Sequence, residues 1–213
     1  MISRIYLRNL AVSCSFLVTH PSEIRRCPRW LRERKSSTFE LRQPWWPYRM
    51  IDYVGSILPP NPKVFEYGGG GSSIWLCDRG AQLTIVEHHQ DWARELRATL
   101  PSTVGLSLIP TCERGSIVSS VEDGYFDKYV QAIDSYPDGS FDLIIVDGRA
   151  RVDCVLRARE KVKPSGYLLL EDSDRGRYEI ARQAMSSWPE KSIKGLKAGS
   201  PVPAKTSIWA RPN

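Results

Sequence analysis

The sequence predicts an α/β fold: one doubly wound domain with a mostly parallel central sheet, helices on both faces, a late antiparallel strand and a helical N-terminal extension. Three observations lead there. From Lys63 onward, β-branched strand segments alternate about five times with segments of helical apolar spacing, the pattern of βαβ units with right-handed crossovers. One strand, Phe141-Asp142-Leu143-Ile144-Ile145-Val146-Asp147, is apolar almost throughout, as a strand covered on both faces must be. The length of 213 residues suits one such domain and is short for two.

Residues 1–43 form a basic extension with no clear strand, and 44–213 the main domain. Within the extension, an apolar run over 10–18 follows Arg4 and Arg8 in the outline of a signal peptide. Ser13 and Cys14 interrupt it, His20-Pro21 follow, and no small-x-small cleavage site is clear. It reads as an amphipathic helix, well short of the roughly 18 apolar residues of a membrane span. Pro44-Trp45-Trp46-Pro47 then punctuates the chain. Met50, Ile51, Val54, Ile57 and Leu58 predict a helix over 48–58, stopped by Pro59-Pro60-Asn61-Pro62.

Val64-Phe65-Glu66-Tyr67 is a short strand that runs into Gly68-Gly69-Gly70-Gly71. A helix over 72–77 follows, with Ser72 or Ser73 as its cap, and then a β-branched strand over 83–87. Asp91 caps a helix through 100, where Trp92, Leu96 and Leu100 recur on one face. A third strand over 104–109 and a helix within 124–133 precede the apolar fourth strand. Val152, Val155, Leu156 and Val162 mark the next helix, closed by Lys163-Pro164-Ser165-Gly166. A strand over 167–171, a helix over 178–188 and a strand over 207–210 complete the order.

Hydrophobic residues make up 41% and charged residues 25%, which excludes wholesale disorder. The net charge is +6, and it is concentrated: Arg25, Arg26, Arg29, Arg32, Arg34 and Lys35 have only Glu23 and Glu33 nearby. A solvated helix face, an anionic substrate, RNA or loose membrane attachment would each fit this cluster. No RNA-binding module accompanies it, so nucleic acid is not the expected partner. The five cysteines are dispersed, with no C-x-x-C pair and no histidine at ligand spacing. That excludes a zinc site and fits a reducing, cytoplasmic location.

The glycine run is the candidate ligand site, because glycines let backbone N–H groups approach a ligand closely. A dinucleotide fingerprint, G-x-G-x-x-G, fails: the final glycine falls on Ser73 or Ile74. A phosphate loop fails too, since no Gly-Lys-Ser/Thr follows. The pattern present is Glu66-x-Gly68-x-Gly70-x-Ser72, with a second carboxylate, Glu87, ending the next strand. Together with Asp147 and the element order, it resembles the class I S-adenosylmethionine-dependent methyltransferases over about 44–211.

That resemblance implies a Rossmann-like fold with S-adenosylmethionine as cofactor. It implies a glycine loop against the methionine part, and Glu87 accepting from both ribose hydroxyls. The cofactor set is then Glu66, Tyr67, Gly68, Gly69, Gly70, Ser72, Ser73, Glu87, His88 and Asp147. The chemistry is sensible: a sulfonium and an ammonium suit a carboxylate near the loop better than a bare helix N-terminus, which anchors phosphates. A carboxylate can also accept two hydroxyl donors. The adenine would lie against 111–129, with Glu122 or Asp123 accepting and Tyr125 or Phe126 stacking; solvated acids and core aromatics are the alternative.

Asp147 ends the fourth strand and Glu171-Asp172 the fifth. The layout is similar to that of catechol-type O-methyltransferases, which carry Asp and then Asp-Asn there. This implies Mg²⁺ on Asp147, Glu171 and Asp172, lowering the pKa of an acceptor hydroxyl. Alternatively, Asp147 orients a ligand while Glu171 and Asp172 cap a segment or pair with Arg175 and Arg177. Without metal, Asp147 or one of His88 and His89 is the candidate general base. Asp147-Gly148-Arg149-Ala150 lacks the Asn/Asp-Pro-Pro-Tyr/Phe motif of methyltransferases acting on exocyclic amines of bases, which argues against DNA amino-methylation. The carboxylates Asp147 and Glu171-Asp172 tilt the expected chemistry toward oxygen of a small molecule, a sugar or secondary metabolite. The other readings are a spermidine-synthase-type aminopropyltransferase, disfavoured by Arg149 where a diamine would bind, and a non-catalytic cofactor-binding subunit.

Trp45, Trp46 and Tyr48 stand where a lid over the acceptor would grow, or else pack a helix onto the sheet. Trp75, Trp92, Trp188 and Trp209 read as core. An oligomer is compatible with all of this.

Overall fold

The computed structural model describes residues 4–213. The strands are β1 (Lys63–Tyr67), β2 (Gln82–Glu87), β3 (Gly105–Leu108), β4 (Phe141–Val146), β5 (Val162–Leu170), β6 (Glu190–Gly195) and β7 (Ala204–Ala210). The helices are α1 (Arg4–Thr19), α2 (Cys27–Glu33), α3 (Thr38–Leu41), α4 (Tyr48–Ile57), α5 (Gly71–Cys77), α6 (Gln90–Thr99), α7 (Asp127–Gln131), α8 (Arg151–Ala158) and α9 (Glu179–Ala184). The strands form one sheet in the order β3-β2-β1-β4-β5-β7-β6. The first five are parallel, and β7 runs antiparallel to both β5 and β6. The chain winds one way from β1 to β3 and the other way from β4, so the order reverses between β1 and β4. Ligands of such sheets bind at this switch point.

The period of two along β4 divides the core. Ile144 and Val146 pack with Phe65, Tyr67 and Tyr129 on one face; Leu143 and Ile145 pack with Val64, Met50 and Trp75 on the other. The apolar fourth strand is thus central and buried on both sides, as expected.

Several boundaries differ from the expectation. β6 was not visible in the sequence: in Glu-Lys-Ser-Ile-Lys-Gly only Ile193 and Gly195 are buried, as befits a polar edge strand. β5 begins at Val162, because Lys163-Pro164-Ser165-Gly166 forms an irregularity within the strand, with Ser165 at φ 60°, rather than a turn before it. His89, not Asp91, caps α6 by accepting from Trp92 N (3.4 Å). α5 has Gly70 at its N-cap instead of a serine, and Ser73 Oγ accepts from Gly70 N (3.0 Å).

The extension packs against the rest of the chain; its first three residues lie outside the described residues. Ser13 Oγ donates to Pro201 O (3.0 Å), Trp30 Nε1 to Ser200 O (2.9 Å), and the buried Glu23 accepts from Leu196 N (3.2 Å). Thr38 Oγ1 accepts from Gly71 N and donates to Gln43 O, both at 2.9 Å. No described helix is long and apolar enough to cross a membrane.

Two of the three expected lid residues are core instead. Trp46 is fully buried beside Trp75, with ring centroids 6.4 Å apart, and Tyr48 is buried with its hydroxyl donating to Glu33 (3.1 Å). Only Trp45, 37% exposed, keeps an outward position. Trp46→Ala should therefore cost about 3–5 kcal/mol in denaturant unfolding. Trp45→Ala should stay within about 0.5 kcal/mol. The reverse ranking would exclude this assignment.

Candidate functional site

A cavity of about 540 Å³ opens at the carboxyl ends of β1, β2, β4 and β5. Its size suits a nucleoside-sized ligand with a second small molecule. The floor is backbone. Gly68 (φ 83°) lies so close to the loop after β4 that a Cβ on it would sit 2.5 Å from Gly148 Cα. The ladder continues past the strand ends, with Gly68 N donating to Val86 O (2.9 Å) and Asp147 N to Tyr67 O (3.0 Å). Trp92 Nε1 donates to Gly69 O (2.5 Å), pinning the loop from α6.

Of the expected cofactor residues, Gly68, Gly69, Gly70, Ser72, Glu87, His88 and Asp147 line this cavity. Glu66, Tyr67 and Ser73 do not. Tyr67 points into the core, where its hydroxyl donates to Val130 O (2.7 Å). Glu66 is fully buried behind the loop and accepts from the hydroxyls of Ser72 and Ser73, which turn back onto it from the first turn of α5. Burial pushes its pKa up to about 8 against the opposing pull of those hydroxyls. Its expected contact with a ligand cation is therefore corrected: Glu66 braces the glycine loop from behind.

Glu87 is 3% exposed, and its Oε1 accepts from the backbone N–H groups of His88 (2.7 Å) and His89 (2.8 Å). Those bonds orient the carboxylate and leave Oε2 for a ligand. His88 is held between two carboxylates. Its Nδ1 lies 2.9 Å from Glu87 Oε1, outside hydrogen-bond geometry, and its Nε2 lies 2.9 Å from Glu122 Oε2. Burial opposes the charged ring, but Glu87 and Glu122 outweigh it and raise the pKa. With each ring nitrogen already 2.9 Å from a carboxylate oxygen, neither stands free to take a proton from an acceptor. This weighs against the expected basic role of His88.

The same Glu122 oxygen accepts from Arg149 Nε (2.6 Å). Phe126 is buried, Tyr125 pairs its backbone with Cys112, and no residue between 111 and 129 borders the cavity.

At the other end of the cavity, carboxylates and cations alternate. Arg151 Nη2 lies 2.8 Å from Asp147 Oδ1, and its Nη1 lies 3.4 Å from Glu171 Oε2. Lys197 Nζ reaches Glu171 (2.6 Å) and Asp172 (3.4 Å), and Arg175 pairs with Asp172. Burial, then the charge of Asp147, pushes Glu171 up to about 8. Burial acts the same way on Asp172, but Lys197 and then its other partners prevail and lower its pKa.

This donor set corrects the magnesium expectation. Asp147, Glu171 and Asp172 do converge, yet each is already neutralised by a fixed guanidinium or ammonium where a dication would have to stand. Among the described residues no cluster has metal-holding geometry. The lattice also adds residues that local sequence reading passed over. Lys197 follows the unseen strand β6. Arg151 opens α8. Thr38 and Trp92 face the cavity from segments read as extension and core.

No protein-family model matches the chain, and no curated protein matches its sequence. Solved structures do match. A methyltransferase-like protein from Silicibacter pomeroyi has 22% identity and a TM-score of 0.57, covering 81% of this chain and 91% of that one. The O-methyltransferase TomG from Streptomyces achromogenes, involved in tomaymycin synthesis and bound to S-adenosylmethionine, has 15% identity and a TM-score of 0.50, covering 72% and 75%. A 1,6-didemethyltoxoflavin-N1-methyltransferase from Burkholderia thailandensis, bound to its substrate and S-adenosylhomocysteine, has 14% identity and a TM-score of 0.50, covering 100% and 92%. The chain has the Rossmann-like fold of S-adenosylmethionine-dependent methyltransferases.

Glu66 makes a pH prediction. Its folded pKa of about 8 lies above its ordinary 4.5, so its contribution to stability is whole below pH 4.5 and is lost as pH rises to about 8. Relative to wild type, Glu66→Gln should gain stability progressively across that window and hold the gain above it. Parallel stability–pH curves for the two proteins would rule out a protonated Glu66.

Proposed function

We propose that this chain is an S-adenosylmethionine-dependent methyltransferase acting on a hydroxyl oxygen of a small-molecule acceptor such as a sugar or secondary metabolite. Glu87 carries the assignment. A nearly buried carboxylate, oriented by two backbone N–H groups and with one oxygen turned to a glycine-floored cavity, suits a pair of ribose hydroxyls. The fold shared with the methyltransferases above supports the same reading.

When bound, the cofactor supplies an electrophilic methyl group on a sulfonium. In this reading, Gly68, Gly69 and Gly70 let backbone approach it, and Ser72 is tied back by Glu66. Asp147 stands at the junction between this half of the cavity and the charged half. Burial, opposed first by Arg151, raises its pKa, so it is the side chain we assign to take the acceptor's hydroxyl proton. Trp45, at the rim, excludes water from the acceptor side. The remaining rate enhancement would come from positioning.

Calorimetry with S-adenosylhomocysteine tests this. Wild type should bind equally with and without Mg²⁺. Glu87→Ala should weaken binding by roughly 10- to 100-fold, the loss of a charge-assisted hydrogen bond of about 1.5–3 kcal/mol. Failure of wild type to bind would sink the cofactor assignment; unchanged affinity in the variant would sink the role of Glu87.

A further inference from the structure

The whole charge excess of the protein lies in its first 36 residues. Arg4, Arg8, Arg25, Arg26, Arg29, Arg32, Arg34 and Lys35 stand against Glu23 and Glu33 there, a net +6 equal to that of the full chain, so everything after is balanced. The two acids reach only Arg29 and Arg26 among these cations. Glu23 is fully buried, and Glu33 accepts from Arg29, Gln43 and Tyr48. Arg4, Arg8, Arg25, Arg32 and Lys35 are exposed.

Between these cations lies aliphatic surface. α1 turns Ser13 and Phe16 inward, both buried. Leu7, Leu10, Ala11, Cys14 and Val18 recur at i, i+3, i+4, i+7 and i+11 on the outer side, and all are exposed, Leu7 by 52%, Leu10 by 46% and Val18 by 81%. At helical spacing, Arg4 and Arg8 border this stripe one turn apart. α1 contains no acidic residue.

Three kinds of partner could cover such a face, and the chemistry separates them. RNA would want aromatic platforms between the cations, and the described residues of the exposed stripe, Leu7, Leu10, Ala11 and Val18, are aliphatic. A second copy would set one +6 patch against another. An anionic bilayer offers both acyl chains for the stripe and phosphates for the arginines. We propose that α1 lays this stripe into the headgroup–acyl boundary of an anionic membrane surface, with Arg4, Arg8 and the exposed cations after it holding lipid phosphates. The helix lies on the surface and does not span it.

Co-sedimentation of the full chain with phosphatidylserine-containing vesicles tests this. Wild type should sediment with them at low salt, with affinity falling about ten-fold or more at high salt as the phosphate contacts are screened. Leu10→Asp combined with Val18→Asp should weaken vesicle binding by at least about ten-fold at low salt. Both positions are exposed, so the thermal melt should not move; the milder Leu10→Ser with Val18→Ser replaces it if the aspartates disturb α1. Equal binding to pure phosphatidylcholine vesicles, vesicle binding unchanged by either folded variant, tighter capture by an RNA oligomer, or a solution dimer that the variants dissolve would each overturn the proposal.

Discussion

The site depends on the approach of Gly68 to Gly148. β1 and β4 are neighbours where the strand order reverses, and the loops leaving them would ordinarily part at once. Here they stay in contact past the strand ends, with Asp147 N still bonded to Tyr67 O, while on the other side of β1 Gly68 N bonds Val86 O of β2. The room for this exists only because neither glycine carries a Cβ. Glycine loop, Glu87 and Asp147 are consequently fixed relative to one another by backbone, the stiffest scaffold available. Side chains then only trim the cavity.

A second constraint acts on the charged end. Arg151 does more than pair with acids: its guanidinium also donates to the backbone oxygens of Gly148, Asp147 and Glu171 at 2.6–3.0 Å. A planar fork with five donors can tie the ends of two strands together in this way, which a lysine could not. Because Arg151 and Glu171 are nearly buried, loss of one of them would leave a charge without compensation, a heavier penalty than the pair's own net contribution. These charged groups therefore hold their geometry tightly, and a ligand placed beside them would meet fixed dipoles and ions instead of mobile water.

Much of this arrangement was legible in the residues, and the exceptions share a cause. The parallel strands carry short apolar runs, and glycine or proline stands in several of the segments between them, so β1 to β5 could be read locally. Glu87 and Asp147 were found because strand ends are where ligands sit in such a sheet. β6 escaped notice because an edge strand needs little apolar surface, and Ile193 alone makes no pattern. Lys197 went with it. Thr38 and Trp92 reach the cavity through tertiary packing that no local spacing encodes. The three acids were read correctly as convergent and wrongly as metal ligands. Their partners Arg151 and Lys197 come from other segments, and what neutralises a carboxylate cluster is decided only when the chain is folded.

The packing of the extension has a consequence for how the molecule is made. Ser13 bonds to Pro201, Trp30 to Ser200 and Glu23 to Leu196, contacts spanning 170 to 188 positions. During synthesis the extension leaves the ribosome long before those partners exist, with its aliphatic stripe and its arginines uncovered. The sheet from β1 to β5 can collapse first, since its strands pair with one another and need no partner beyond residue 170. The cavity wall carried by Lys197, Gly199 and Ser200 closes last, when the segment after β6 returns to the waiting N-terminal helices. Late closure of the wall would make ligand binding in this cavity a readout of completed folding, while secondary structure alone would report success too early.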